Sequence, residues 1–244
     1  MSVNGGIIIC DGELEIVRIT EDLYDKTLNL FQNSFMKYEN VSIATNLCGS
    51  QQTMDEMEIL LKSILKDGVS FCAIHRETKE VVAMAANKFI CPSANIGLDD
   101  VLESFKSKEM RWVSNYLCTM ETTFDLFKEW NVDCVVEIVF LSTHINFGKR
   151  GLAATISKYS IDFFKQLGNC TLTDVNSLPA HVRSLKPEAI SSTFTSKFSQ
   201  KVGEKLGFTT VYKVANKDFV YEGKTYAELI DPIHEFSTFA AIRL

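Results

Sequence analysis

The chain has 244 residues, 46% hydrophobic and 23% charged, an ordinary globular composition that excludes wholesale disorder. Its 25 basic and 31 acidic residues leave a net charge of −6, which argues against nucleic acid or an anionic lipid surface as partner and suits a cationic small ligand. A chain this long buries roughly 70% or more of its unfolded surface, so neither a structural metal nor a disulfide is required to hold it.

The seven cysteines (Cys10, Cys48, Cys72, Cys91, Cys118, Cys134, Cys170) are scattered, odd in number and without a CxxC, the pattern of reduced thiols in a cytoplasmic protein. Met1 to Glu13 lacks a basic leader region, and no run approaches 18 apolar residues, so neither a signal peptide nor a membrane span is expected. The expected protein is a cytoplasmic monomer, and its two glycosylation sequons, at Asn40 and Asn169, are accidents of composition.

In chain order, Leu14 to Ile19 alternates as a first strand, and Thr20-Glu21-Asp22 caps a helix carried on by Leu28, Phe31 and Phe35. Thr53 and Glu56 have capping-box spacing, and Met57, Leu60, Leu61 and Ile64 form a helical stripe that stops at Gly68. Ser70 to His75 and Val81 to Phe89 read as a hairpin. Residues 90–109 are the least readable. Val113, Leu117, Met120, Phe124 and Phe127 then step around one helical face, and Asp133 to Ser142 is a nearly continuous apolar strand of the kind buried on both sides. Leu152, Ile156, Tyr159 and Phe163 make another helical stripe, ended by Gly168, and 169–187 reads as a loop. A strand over Glu188 to Phe194, a helix over Phe198 to Leu206 and strands near Phe208–Val214 and Glu235–Arg243 complete the chain. The order β-α-α-β-β-α-β-α-β-α-β-β predicts an α/β (mixed α+β) fold: one domain over 1–244, with a mixed central sheet of about seven strands and helices on both faces. A doubly wound dinucleotide fold is disfavoured, because strict alternation fails and GxGxxG is absent.

Chemistry concentrates where the buried strand leaves Leu141-Ser142-Thr143 and enters Gly148-Lys149-Arg150-Gly151-Leu152-Ala153. A strand that turns through glycines into a helix leaves several N–H groups without carbonyl partners at a positive helix end, a place for a phosphate or pyrophosphate. Gly148 and Gly151 let backbone approach a ligand, Ala153 avoids crowding it, and Lys149 and Arg150 add charge. The alternative is a plain strand–helix turn with two solvated basic residues; a Walker A loop is excluded, since GxxxxGK(S/T) is absent.

FGKRGLA after an apolar strand resembles motif A of the GNAT acetyltransferase superfamily, (Q/R)xxGx(G/A), with Gly151 and Ala153 at its last two positions and Gly148 where the family has Gln or Arg. The resemblance extends to the insect arylalkylamine N-acetyltransferases (dopamine or serotonin N-acetyltransferase-like). IVRITEDLYDKTLNLFQNSF resembles their first strand and helix, LKDGVSFCAIHRETKEVVAMAANKF their hairpin, FTSKFSQKVGEKLGF their TxxYSxxxxEKLGF helix, and YEGKTYAELIDPIHEFSTFAAIRL their closing strand. It runs in matching order along nearly the whole chain.

The resemblance implies acetyl-CoA as co-substrate, held by Leu141, Ser142, Thr143 and Gly148 to Ala153, and a primary arylalkylamine as acceptor. It implies direct attack by the amine, without a metal and without an acetyl-enzyme. An amine of pKa about 10 is mostly protonated at neutral pH and needs a base. The family's base is the Glu of a DEP(L/I) motif after the first helix; here the segment is Tyr38-Glu39-Asn40-Val41, so Glu39 inherits the role although both neighbours differ. The family's hydroxyls fall on Thr195 and Ser199, with Phe198 where Tyr is frequent. Thr and Ser at a helix start also serve as caps. Phe35, Tyr38, Phe89 and Phe194 lie beside these elements as candidate acceptor-pocket residues, and His234 matches a PH element that braces a strand end. The four histidines have no HxxxH or HxH spacing, so no metal site is expected. Two alternatives stay open: a polyamine, agmatine or other amine as acceptor, and a non-catalytic acyl-CoA-binding relative.

Overall fold

The computed structural model describes residues 5–244, so the reading of the chain start rests partly on residues outside the described ones. Five strands lie side by side in chain order, each antiparallel to the next: β1 (Ile7–Ile9), β2 (Leu14–Arg18), β3 (Phe71–His75), β4 (Val81–Ile90) and β5 (Val135–Thr143). β6 (Ala189–Phe194) joins β5 in parallel, and β7 (Thr209–Ala215) forms the far edge. β8 (Val220–Tyr221) and β9 (Lys224–Thr225) make a small separate hairpin, and β10 (Phe236–Arg243) inserts between β6 and β7. The main sheet therefore has eight strands rather than about seven. The additional one, β1, exposes Ile7 and Ile8, so its sequence carries no inside–outside alternation.

α1 (Tyr24–Leu30) passes through a π turn, Phe31–Phe35, into α2 (Met36–Tyr38). α3 (Asn40–Thr45), α4 (Gln51–Leu65), α5 (Asp99–Ser104), α6 (Lys108–Thr122) and α7 (Leu126–Trp130) pack with them on one face. α8 (Leu152–Gly168) and α9 (Lys197–Leu206) cover the other face, and the short α10 (Tyr226–Leu229) adds Tyr226 to the first core. On α8 the expected stripe is buried: the Phe71 ring lies 4.9 Å from Tyr159 and 5.0 Å from Phe163. Truncating such a ring to Ala costs about 3–5 kcal/mol.

Several local expectations are corrected. Ser50, not Thr53, caps α4, its hydroxyl accepting from Thr53 N at 3.1 Å. Glu56 instead reaches sideways, taking Lys106 N at 2.8 Å and the Ser107 hydroxyl at 2.5 Å, so it fastens the start of α6. The stripe from Val113 to Phe127 is two helices, because Asp125 caps a new start by accepting from Lys128 N at 3.1 Å. Cys91 and Cys134 are not reduced thiols but a disulfide: the β4–β5 register that pairs Ile90 with Val135 sets them opposite each other, Cα atoms 4.5 Å apart.

Two irregularities position the site. Val139 is a bulge in β5, between the Ala86–Phe140 and Asn87–Ile138 pairs of the β4 ladder. The parallel ladder of β5 and β6 covers Val135–Ala189, Val136–Ile190 and Glu137–Ser191 and then stops, so the two strands part.

Candidate active site

Where β5 and β6 part there is a cavity of about 330 Å³. Leu141, Ser142 and Thr143 line it from β5, and Thr193 from β6. The Ser192 hydroxyl crosses the gap to donate to the Ile138 carbonyl at 2.9 Å. Three other hydroxyls of wall residues, on Ser34, Thr143 and Thr193, are sealed from solvent and have no hydrogen-bond partner among the described residues.

Glu39 stands at the mouth, between α2 and α3. It is the N-cap of α3: its carboxylate accepts from Val41 N at 3.0 Å, Ser42 N at 2.9 Å and the Ser42 hydroxyl at 3.1 Å. The Thr195 hydroxyl donates to the same carboxylate at 2.7 Å. Two expected site residues, 156 positions apart in sequence, are thus in direct contact. Asn40 holds them there, its amide donating to the Thr195 carbonyl at 2.8 Å. Asn40 is the first residue of α3, the place where the family's proline is well tolerated, so the altered neighbour keeps the turn.

Ser199 lines the same cavity but is occupied in a capping box, accepting from Ser196 N at 3.2 Å and donating to the Ser196 carbonyl at 3.0 Å. His234 Nδ1 accepts from Lys197 N at 3.1 Å, so it braces the start of α9 rather than a strand end. Burial holds its pKa below the usual imidazole value.

Phe35 packs its ring on Phe31 at 5.2 Å and on Phe140 at 4.9 Å, forming an aromatic wall, and Tyr38 stands exposed at the rim. Phe194 borders the cavity from β6, but its ring lies on the opposite face of the sheet, against Phe208 at 5.6 Å and Gly203 of α9, so it does not join that wall. Phe89 is elsewhere. It is 0% exposed on the opposite face of the sheet, against Phe164 at 5.9 Å, because strand alternation sends it toward α8.

The glycine loop follows β5 beyond the cavity. Gly151 is in the left-handed region (φ +77°), and apart from its own chain neighbours nothing among the described residues lies within 4 Å of where a Cβ would stand. It caps the 17-residue α8 without any side-chain bond to the first-turn N–H groups, so the positive end of a long helix is left open. Leu152 sends its side chain into the core and offers only backbone. Lys149 is exposed in the left-handed region (φ +61°). Arg150 is not free: both guanidinium ends pair with the Glu13 carboxylate and its face lies over Phe147 at 5.4 Å.

Sequence reasoning passed over Asn40, Ser42, Phe140 and Glu137. Glu137 is 6% exposed and lines the cavity, and its signal was available: one charge inside an otherwise apolar strand.

No protein-family model and no curated protein matches the sequence. Solved structures do match: arylalkylamine N-acetyltransferase 2 from Aedes aegypti is similar at 23% identity and a TM-score of 0.77, over 94% of this chain and 98% of that one. The chain has the fold of the insect arylalkylamine N-acetyltransferases. Mosquito arylalkylamine N-acetyltransferase like 5b shares this acetyltransferase fold at 19% identity and a TM-score of 0.76, over 95% and 100% of the two chains. Drosophila melanogaster polyamine N-acetyltransferase shares it at 14% identity and 0.74, again over 95% and 100%. Among the described residues no helix is long and apolar enough to cross a membrane.

Proposed function

We propose that the protein is an acetyl-CoA-dependent N-acetyltransferase that acetylates a primary amine by direct attack. The observation that carries this reading is the parting of β5 and β6 between the Glu39–Thr195 pair and the open N-terminus of α8. The residues present fit the co-substrate. The backbone from Gly148 to Ala153 would hold its pyrophosphate, with space above Gly151 for it, and Leu141, Ser142 and Thr143 would lead toward the gap. Arg150 contributes only by leaving Glu13. Acetyl-CoA, when bound, supplies an acetyl group activated as a thioester.

The chain's own part is to orient an amine and take its proton. Glu39, fixed by four donors, is the base, directly or through one water. Thr195, already bonded to it, is the nearer relay, and Ser199 lies one step behind in its cap. No cysteine lines the cavity among the described residues, which supports attack without an acetyl-enzyme. The Phe35–Phe140 wall suits the ring of an arylalkylamine of the dopamine, tyramine and serotonin class. A second acceptor reading, agmatine or a polyamine, is favoured by the buried Glu137 carboxyl in the same cavity.

The test is thiol release from acetyl-CoA with tyramine, dopamine, serotonin, agmatine and putrescine. Turnover of at least one amine is expected. Silence on all five, with acetyl-CoA still bound in calorimetry, would leave a non-catalytic acyl-CoA-binding protein. A tenfold preference for agmatine or putrescine would move the acceptor class to the second reading.

A further inference from the structure

Behind the first cavity lies a second, of about 360 Å³, bounded by residues near 90–102, α6 and β5. The two share Leu60, Leu117, Glu137 and Val139 in their walls. Glu137 thus lines both cavities, sent to that face of β5 by the same alternation that sends Val136 and Ile138 to the other. From α6, Glu121 meets it carboxyl to carboxyl. Asp99, Asp100 and Cys118 also line the second cavity, and among the described residues neither cavity wall carries a Lys or Arg. His234, in the first cavity, is bonded to Lys197 N. Ser114, partly buried in the second cavity's wall, also has a hydroxyl without a hydrogen-bond partner among the described residues.

Two carboxyls in contact, Glu137 buried and Glu121 partly so, with no Lys or Arg in either cavity wall, resist ionising together, so they share a proton until a positive group replaces it. We propose that Glu137, backed by Glu121, is a subsite for a second ammonium or guanidinium group on the acceptor, at the end away from the amine that is acetylated. Glu137 precedes Leu141 by four residues, roughly 13 Å of strand less the bulge, which favours a long diamine or guanidino-amine over a short one. Burial is the main reason that Glu137 is pushed up to about 7, the condition under which an arriving cation displaces a proton rather than meeting a solvated carboxylate. The subsite rests on the acetyl-transfer reading for its role but not for its occupancy.

The probes are 1,8-diaminooctane and octylamine, which differ only in the second ammonium. In wild type the kcat/KM ratio of diamine to monoamine should exceed ten, and in Glu137→Gln it should fall at least tenfold. Calorimetry in two buffers near pH 6.5 should show the diamine releasing about one proton more than octylamine, a difference that Glu137→Gln abolishes; Glu121→Gln serves if that variant does not fold. If no amine is acetylated but the extra proton is released, the acetyl-transfer reading fails and the subsite stands. Equal ratios and equal proton release for the two probes would overturn the subsite and leave the two carboxyls a neutral structural pair.

Discussion

Two acids are buried on opposite sides of this sheet, and they are treated differently. On the α8 side, Asp67 accepts from Lys88 Nζ at 2.8 Å, Phe89 N at 3.0 Å and His181 Nε2 at 3.1 Å, so its charge is matched and the loop after α4 is tied to β4 and to the 169–187 segment. In the wall of the two cavities, Glu137 is also buried, at 6% exposure, but the charged group it meets is another carboxyl. A buried charge that loses its partner is strongly destabilising, whereas an unpaired one beside a cavity costs stability from the start and is the kind of group found at functional sites.

The largest effect should come from breaking the matched side. Lys88→Met leaves Asp67 buried without its cation and should cost about 3–5 kcal/mol, measured by urea unfolding. A loss under about 1 kcal/mol would mean that the Asp67 pair is not the structural member of the comparison. Next is the chemistry on the unmatched side: Glu39→Gln should lower kcat/KM on the order of 10²-fold and alter the low-pH limb of the rate profile, with acetyl-CoA affinity retained. Wild-type rates across pH would leave Glu39 as the cap of α3 alone.

The smallest effect sharpens the contrast. Because the Glu137 carboxyl is raised in the folded protein, it keeps a proton that the unfolded chain has already released between about pH 4.5 and 7, so stability falls as pH rises through that window. Glu137→Gln should flatten this loss and gain on the order of 1 kcal/mol above pH 7, about 2–4 °C in Tm. A variant less stable than wild type at pH 8 would place Glu137 with Asp67 as a satisfied group.

Much of this was legible in sequence, for identifiable reasons. The apolar run ending at Leu141 and the glycines at 148 and 151 fixed a strand, a loop and a helix start through local rules alone. Glu39 and Thr195 came from resemblance, and their contact required the fold, since 156 residues of chain separate them. Glu137 stood in plain view, but its meaning depends on the cavities on that face of β5 and on Glu121 from another helix, neither of which has a sequence signature. β1 and α5 were missed because both expose most of their side chains, which erases the periodicity that reveals buried elements.

The π turn at Phe31–Phe35 bears on how such a site can change by descent. A π turn holds one residue more than a regular helix needs, and each residue of an α-helix turns the chain by roughly 100°. The wide turn takes up that residue locally, so the helical residues before and after it face as they would in an unbroken helix one residue shorter. Deleting one codon within 31–34 would close the turn to a regular helix and leave Met36 to Glu39 on the side they now present, so this short segment is a place where the chain can change its length by one residue without moving the carboxylate that follows it.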